Sequence, residues 1–231
     1  MGSTMEIAGL YLYAYLVGSV PTAYLLGRLA KGIDIRSYGS GNVGGTNLAH
    51  QAGRLWLLPL GCFDILVKGA SPVLIAQYAL GWESDSLVLL GAPILSIIGH
   101  NWSVFIRFQG GRGIAVVCGI LLAISPLLIG AFLVLFSAGW LATRSAGVWV
   151  LVSLLALPLW GILMGQPAAV TWLCVVMLGL VILKRLLSNG TPMPQDISRR
   201  RVLFNRAFRD RDVDERSTWV DRLPSTSEVT S

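Results

Sequence analysis

The chain has 231 residues, of which 54% are hydrophobic and 13% charged, with a formal net charge of +6. A soluble domain carries roughly 25% charged residues, and a mean hydropathy of +0.67 excludes that class. The composition is that of an all-α integral membrane protein of several spans, short enough to form one compact bundle. Cys62, Cys118 and Cys174 fall inside apolar runs with no metal-ligand spacing and read as core filler. No secretory signal is evident, because the first apolar run lacks a basic lead. Glu6 stands where myristoylation needs Ser or Thr.

Apolar runs cover residues 8–29, 55–80, 87–104, 113–142, 148–164 and 168–187. A span needs about 20 residues, so 113–142 is too long for one. Ser125-Pro126 breaks it in the middle, since proline and its predecessor both disfavour helix continuation. Splitting the run gives seven spans; leaving it as one kinked helix gives six. With seven spans and the N-terminus outside, the inner face receives Arg28, Lys31, Arg36, Arg54, Arg107, Arg112, Arg144, Lys184 and Arg185. The outer face receives Glu6, Glu83 and Asp85. That is a positive-inside pattern. Six spans would put the basic tail on the wrong face, so about seven are expected, with polar glycine-rich loops on the cytoplasmic face.

Two of those loops stand out. The first contains Gly39-Ser40-Gly41-Asn42-Val43-Gly44, which formally matches G-x-G-x-x-G. A dinucleotide reading fails, because it needs a preceding strand and a βαβ unit. The physical content survives: closely spaced glycines let backbone N–H groups converge on an anion. Ser40, Asn42, Thr46 and Asn47 add neutral donors, and a helix starting near Thr46 would add its dipole. The second loop, Gln109-Gly110-Gly111-Arg112-Gly113, opens a short helix and presents Arg112 between glycines, exposed and free to grip a phosphate. His100 and Asn101 precede it at the end of a span, where His100 is expected to brace the loop.

Asp64 and Lys68 lie four residues apart inside the second span, hence on one helix face. Ionisable groups at that depth are costly, so the two read as a structural pair facing protein. Residues 188–231 change character: eight arginines, beginning with Arg199-Arg200-Arg201, seven acids and few apolar residues, with Thr191-Pro192-Met193-Pro194 marking the boundary. The division expected is a transmembrane domain over 1–187 and an arginine-rich cytoplasmic tail over 188–231. The tail reads as solvated and partly helical around Val202–Phe208. A sharper reading rests its arginines, with Leu203, Phe204 and Phe208, on anionic headgroups.

Taken in order, these segments resemble the bacterial acyl-phosphate:glycerol-3-phosphate acyltransferase family (PlsY). Gly18-Ser19-Val20-Pro21-Thr22-Ala23-Tyr24 looks like its first span, and the Gly39–Asn47 loop is similar to its GSGNxGATN motif. Phe63-Asp64 and Lys68-Gly69 resemble its second span, although the family's acid–lysine pair is usually three residues apart and here is four. Gly99-His100-Asn101-Trp102 with Gly110–Gly113 resembles its GHNWPVF…GGKG segment. The resemblance covers about residues 7–187 and implies a seven-span inner-membrane bundle that moves an acyl group from acyl phosphate to glycerol 3-phosphate. Lysophosphatidate and phosphate leave, and no metal or organic cofactor is implied. Ser40, Asn42 and Arg112 are then expected to act in catalysis. Gly41, Gly44, Gly45, Thr46, Asn47, His50, His100, Asn101, Gly110, Gly111 and Gly113 are expected to bind substrate. The partners expected are acyl phosphate, glycerol 3-phosphate and membrane lipids, with no nucleic acid, and the chain is expected to be monomeric.

Departures from the family pattern sharpen that expectation. His50 stands where the family has arginine, Arg112 where it has lysine and Gly45 where it has alanine. The third motif, near HRENIxRLL, falls on Gly179–Leu187, with Gly179 and Ile182 at its histidine and asparagine positions. The expectation is a preserved donor site with an altered acceptor site, in which Lys184, Arg185, Arg144 or His50 substitutes. A catalytically impaired paralogue that binds acyl phosphate or lipid, or an acyltransferase with another acceptor, stays open. A transporter is disfavoured, because the spans show no repeat.

Overall fold

The computed structural model describes residues 3–81, 87–190, 193–194 and 196–215. Glu83 and Asp85 of the expected outer face, and Thr191 and Pro192 of the expected tail boundary, lie outside the described residues.

The first apolar run is not one helix. It divides into α1 (Thr4–Ser19) and α2 (Thr22–Lys31) at Val20-Pro21. Proline has no N–H to continue the helical ladder and pushes its predecessor out of the helical region. The break sets Thr22 at the start of α2, where its hydroxyl donates to Asp64 Oδ1 at 2.8 Å. At the other end of α1, Ser3 and Glu6 form a capping box, with Ser3 N–H donating to Glu6 Oε2 at 2.7 Å.

Between the first two spans lies α3 (Gly45–Ala52). The second span, α4 (Arg54–Ala79), widens into π-type turns over Cys62–Ala70 and Ile75–Ala79. The wider turns change which carbonyls are paired inside the helix. Ser96 crosses from the next span to donate to Lys68 O at 2.7 Å. The remaining helices are α5 (Leu87–Asn101), α6 (Ile114–Ile124), α7 (Pro126–Thr143), α8 (Ala146–Leu163), α9 (Ala168–Leu187) and α10 (Arg199–Arg209). The 113–142 run splits where its proline predicts: Ser125 is extended, Pro126 takes the first turn of α7, and Ser125 Oγ accepts from Leu128 N–H.

Among the described residues, five helical segments are long and apolar enough to cross a membrane: Thr4–Lys31, Arg54–Ala79, Pro126–Thr143, Ala146–Leu163 and Ala168–Leu187. Leu87–Asn101 and Ile114–Ile124 are shorter. The seven apolar segments follow in the expected order, so the chain is a multi-pass membrane protein.

Lipid replaces water as the solvent of this bundle. Leu127, Val134 and Leu163 are 65–71% exposed on its outside, while Ile97, Val116, Ile120, Leu154 and Met177 are fully buried inside. Small residues set the closest approach, as is common where apolar burial does not drive helix pairing. A Cβ on Gly69 of α4 would lie 2.7 Å from Gly119 Cα of α6. The two helices therefore touch backbone to backbone, with no room for even alanine at that crossing.

Candidate active site

The first glycine loop is fixed from within. Gly39 and Gly41 both take positive φ (55° and 64°), which lets the chain double back on itself. Asn47, on the first turn of α3, is buried and donates from Nδ2 to Ile35 O (2.9 Å), Tyr38 O (3.1 Å) and Asn42 O (3.1 Å). Its amide is taken by the loop backbone, so Asn47 braces the loop. Ser40 Oγ accepts from Asn42 N–H at 3.3 Å. Asn42 Oδ1 is buried with no hydrogen-bond partner among the described residues. Gly44 caps α3 without a side chain, so the first-turn N–H groups of that helix have no capping oxygen.

The second glycine loop lies against the first, with Val43 N–H donating to Gly110 O at 3.4 Å. His100 sits beneath it: a Cβ on Gly111 would overlap the imidazole, so Gly111 lets the backbone cross the ring. Gly111 N–H also donates to His100 O at 3.1 Å. Gly113 has φ +76° and turns the chain into α6, beside the buried side chain of Asn101.

Arg112 departs from its sequence reading. It is buried, at 6% exposure, and not free in solvent. Nε donates to Asp210 Oδ1 at 2.7 Å, one terminal nitrogen to Lys184 O at 3.1 Å and the other to Ser188 Oγ at 3.4 Å. The cause is the tail, which folds back and supplies a carboxylate that no local pattern announces. A guanidinium has five N–H donors, so two remain.

Gly179 faces outward on α9, with no atom within 4 Å of an added Cβ. The inward polar groups come one to three turns later. Lys184 Nζ donates to Asn189 Oδ1 at 2.6 Å and lies 5.2 Å from the Trp102 ring centroid. Asn189, in the left-handed region, is a hub that the sequence reading missed. It accepts from Gly110 N–H at 3.1 Å and donates to Gly110 O at 3.0 Å and Gly41 O at 3.3 Å. It thus ties both glycine loops to the end of α9. An asparagine followed by glycine after a helix with a basic end is a C-cap signal, which could have drawn attention to it.

Below the loops, Lys68 Nζ meets Asp64 Oδ1 at 2.6 Å and His100 Nδ1 at 3.3 Å. With Thr22 also donating to Asp64, the pair is enclosed and faces protein.

The tail is docked over residues 199–214. Arg206 grips Asp212 through Nε (2.5 Å) and a terminal nitrogen (3.3 Å), both side chains buried, and donates to Leu186 O at 3.1 Å. Arg185, buried at the end of α9, donates to Gly147 O and Ala207 O, each at 3.0 Å. A Cβ on Gly147 would lie 2.5 Å from Arg209 O, so the absent side chain is what admits the tail. Asp210 then comes within 4.0 Å of Arg185 Nε as well as bonding Arg112.

These parts meet at one cavity of about 650 Å³. Of the expected residues, Ser40, Asn42, Gly44, Gly45, Thr46 and Asn47 line it from the first loop and α3. His50, Asp64, His100, Arg112 and Gly113 complete the set. Gly41, Asn101, Gly110, Gly111 and Lys68 stand behind that lining. Arg144 and Arg185, two of the expected substitutes, line it too, with Arg209, Asp210 and Arg211 of the tail. Leu57, Leu60, Phe136 and Val150 give it an apolar side. Five guanidinium-bearing residues face two carboxylates there, and Asp64 is neutralised by Lys68, so the cavity suits anions. Among the described residues, no group of three or more His, Cys, Asp or Glu could hold a metal.

The chain is similar to known proteins. The family model described as glycerol-3-phosphate acyltransferase matches residues 8–190. Glycerol-3-phosphate acyltransferase 4 of Dehalococcoides mccartyi (strain CBDB1) is 40% identical over 217 residues, covering 90% of each chain. Glycerol-3-phosphate acyltransferase 5 of D. mccartyi (strain ATCC BAA-2266 / KCTC 15142 / 195) is 37% identical over 97% of this chain and 94% of its own. That alignment therefore runs into the tail, where the family model has stopped. The crystal structure of PlsY, an integral membrane glycerol 3-phosphate acyltransferase, in its glycerol 3-phosphate form, superposes with a TM-score of 0.74 at 27% identity. It covers 97% of this chain and 98% of that one. The chain belongs to the glycerol-3-phosphate acyltransferase family.

Proposed function

We propose that this chain transfers an acyl group from acyl phosphate to the 1-hydroxyl of glycerol 3-phosphate, releasing lysophosphatidate and inorganic phosphate. The observation that carries the reading is convergence. Two glycine loops and a set of arginines meet at one cavity with an apolar side, at the ends of membrane helices. Both substrates are anions, and one has a long apolar chain, so both surfaces are needed.

In this mechanism the acceptor hydroxyl oxygen attacks the acyl carbonyl carbon, and the carbonyl electrons move to its oxygen. When that oxyanion collapses, the bond from the carbonyl carbon to the phosphate oxygen breaks, and the hydroxyl proton passes to the departing phosphate. First-turn N–H groups of α3, left without a capping side chain, stabilise negative charge on the phosphate and the oxyanion. Asn42, whose Oδ1 is unpartnered among the described residues, accepts from a substrate hydroxyl, with Ser40 beside it. Arg112 uses its two remaining N–H donors on phosphate. Leu60, Phe136 and Val150 receive the start of the acyl chain. Holding both substrates together replaces a covalent intermediate. Gly44, Gly45, Thr46 and His50 contact substrate directly, and Gly41, Asn47, His100, Asn101, Gly110, Gly111 and Gly113 hold the loops in place.

The protein acts as a monomer in the bacterial inner membrane, with residues 1–187 as the transferase domain, the N-terminus outside and the 188–231 tail cytoplasmic. The basic inner loops support that orientation. The test is phosphate release by purified protein given palmitoyl phosphate, with and without glycerol 3-phosphate. Release that depends on glycerol 3-phosphate is expected. Its absence, with acyl phosphate still bound, would establish the impaired paralogue instead. Turnover with a different polyol phosphate alone would establish another acceptor.

A further inference from the structure

The Arg209–Arg211 turn lies beyond residue 190, where the family model ends, yet it is part of the cavity wall. Its placement is over-determined. Arg206 and Asp212 clamp the two arms of the turn together in a buried, two-point ion pair. Arg185 holds Ala207 O from below. Gly147 leaves space for the Arg209 carbonyl, and Asp210 caps α10 in the left-handed region at φ +56°. A tail that was only solvated would need none of these. Their joint effect is to deliver one carboxylate to the guanidinium of the second glycine loop.

That contact does chemical work whichever way Arg112 is read. Nε of Arg112 is taken by Asp210, and its terminal nitrogens each give one bond, to Lys184 O and Ser188 Oγ. Three bonds fix the plane and rotation of the guanidinium. The two N–H donors left over are then presented in a set direction, with no rotamer search at the moment of binding. Arg185 Nε stands 4.0 Å from the same carboxylate, so Asp210 also keeps two like-charged guanidinium groups close together, which would otherwise repel. One carboxylate between two guanidinium groups leaves a net positive charge, and Arg144 lines the same space. That suits a phosphate dianion, and the acceptor depends on it the more, because it has no acyl chain to place against the apolar side.

We propose that the Arg209–Arg211 turn is a wall of the acceptor site, in which Asp210 is a positioning residue that holds Arg112, with Arg185 beside it, for the phosphate of a small phosphomonoester acceptor. The inference rests on the acyltransferase reading above and assigns the tail a part in it. The carboxylate acts through the arginines and does not touch the reacting atoms.

The test uses the full-length protein in lipid nanodiscs with palmitoyl phosphate as donor and glycerol 3-phosphate as acceptor. Asp210→Asn keeps shape and removes charge. It should raise KM for glycerol 3-phosphate by about tenfold or more and change KM for palmitoyl phosphate by less than about twofold. Asp210→Glu should recover most of the loss, with the melting temperature of both variants close to wild type. Unchanged acceptor KM in Asp210→Asn would overturn the proposal while leaving the acyltransferase reading intact. A lowered acceptor KM would also overturn it, because Asp210 would then be competing with phosphate for Arg112. Equal losses on both substrates, tracking a fall in melting temperature and not rescued by glutamate, would reduce Asp210 to a structural role. Wild-type protein with no glycerol 3-phosphate-dependent release would remove the reading and the proposal together, and is a distinct result.

Discussion

The two polar walls of the cavity are held by different physics. The Gly39–Asn47 wall is braced from within by bonds that span at most 12 residues of sequence, from Asn47 to Ile35, Tyr38 and Asn42, before Asn189 and Gly110 tie it to the rest. The Arg209–Arg211 wall is closed by an ion pair that spans 98 residues, Arg112 to Asp210, on a helix docked by Arg206 and Asp212. The near wall is a backbone device and needs glycines. The far wall is a side-chain device and needs charges in matching places. A loop of the first kind can be set before the bundle has formed. The second kind exists only once α8, α9 and α10 are packed.

Breaking the floor beneath both walls should have the largest effect. Lys68→Met leaves the Asp64 carboxyl enclosed without its cation, with Thr22 its remaining close donor. Removing one partner of a buried pair costs about 3–5 kcal/mol, and thermal unfolding in detergent should show a loss of that order. A melting curve matching wild type would mean that the carboxyl is protonated or hydrated in place, and that the pair does not support the site. Lys68→Met with Asp64→Leu should recover part of the loss.

The next effect separates the walls by chemistry. Arg112→Ala should reduce acyl transfer by about 10²-fold or more, because two charge-assisted hydrogen bonds to phosphate, each worth about 1.5–3 kcal/mol, are lost. Arg36→Ala should cost less than about tenfold. Arg36 is already paired with Asp34 at 2.6 Å and donates to Gln109 Oε1 at 3.3 Å, so it props the second loop from the side. Equal effects of the two substitutions, measured as kcat/KM under one set of conditions, would count against Arg112 as a substrate contact. Asn47→Ala tests the near wall alone. Three backbone carbonyls would lose their donor in a buried loop, at about 1–3 kcal/mol, and both KM values should rise together because the first loop serves both substrates.

The near wall was readable in the sequence for the reason that it is local. Gly39, Gly41 and Gly44 announce a backbone that must turn tightly, and Ser40, Asn42 and Asn47 announce hydrogen bonds inside it. The membrane helices were readable because lipid demands long apolar runs, and the break at Ser125-Pro126 because proline has no N–H. The break at Val20-Pro21 follows from the same rule, but it lay in a run of span length and was read as continuous. The far wall was not readable. Asp210 sits in a run of alternating arginines and acids, where nothing distinguishes the carboxylate that reaches Arg112 from Asp214, which pairs with Arg201 and Arg209 at the surface. Only packing makes that choice. Arg112 was misjudged as free for the same reason, since its partner comes from the other end of the chain.

The smallest effect concerns the outer support of the near wall and carries a pH dependence. Burial alone would raise the Asp34 carboxyl, but hydrogen bonds from the Arg36 side chain and backbone, with the charges of Arg36 and Arg28, outweigh it and hold it below the ordinary carboxylate value. Arg36 is raised in turn, chiefly by its hydrogen bond to Asp34. A carboxyl lowered on folding contributes stability above its unfolded value of about 3.9. That contribution is lost as pH falls through the folded value. The pair is partly solvated, so after screening its contribution stays within about 1 kcal/mol. Asp34→Asn should therefore melt slightly below wild type at pH 7, and the gap should close as the pH falls below 4. High salt should narrow the gap at pH 7 as well, because a partly exposed pair is screened. A gap that widened on acidification would mean that Asp34 is destabilised when ionised, and that Arg36 is held in place by Gln109 and the Tyr24 ring, 5.1 Å from its guanidinium carbon.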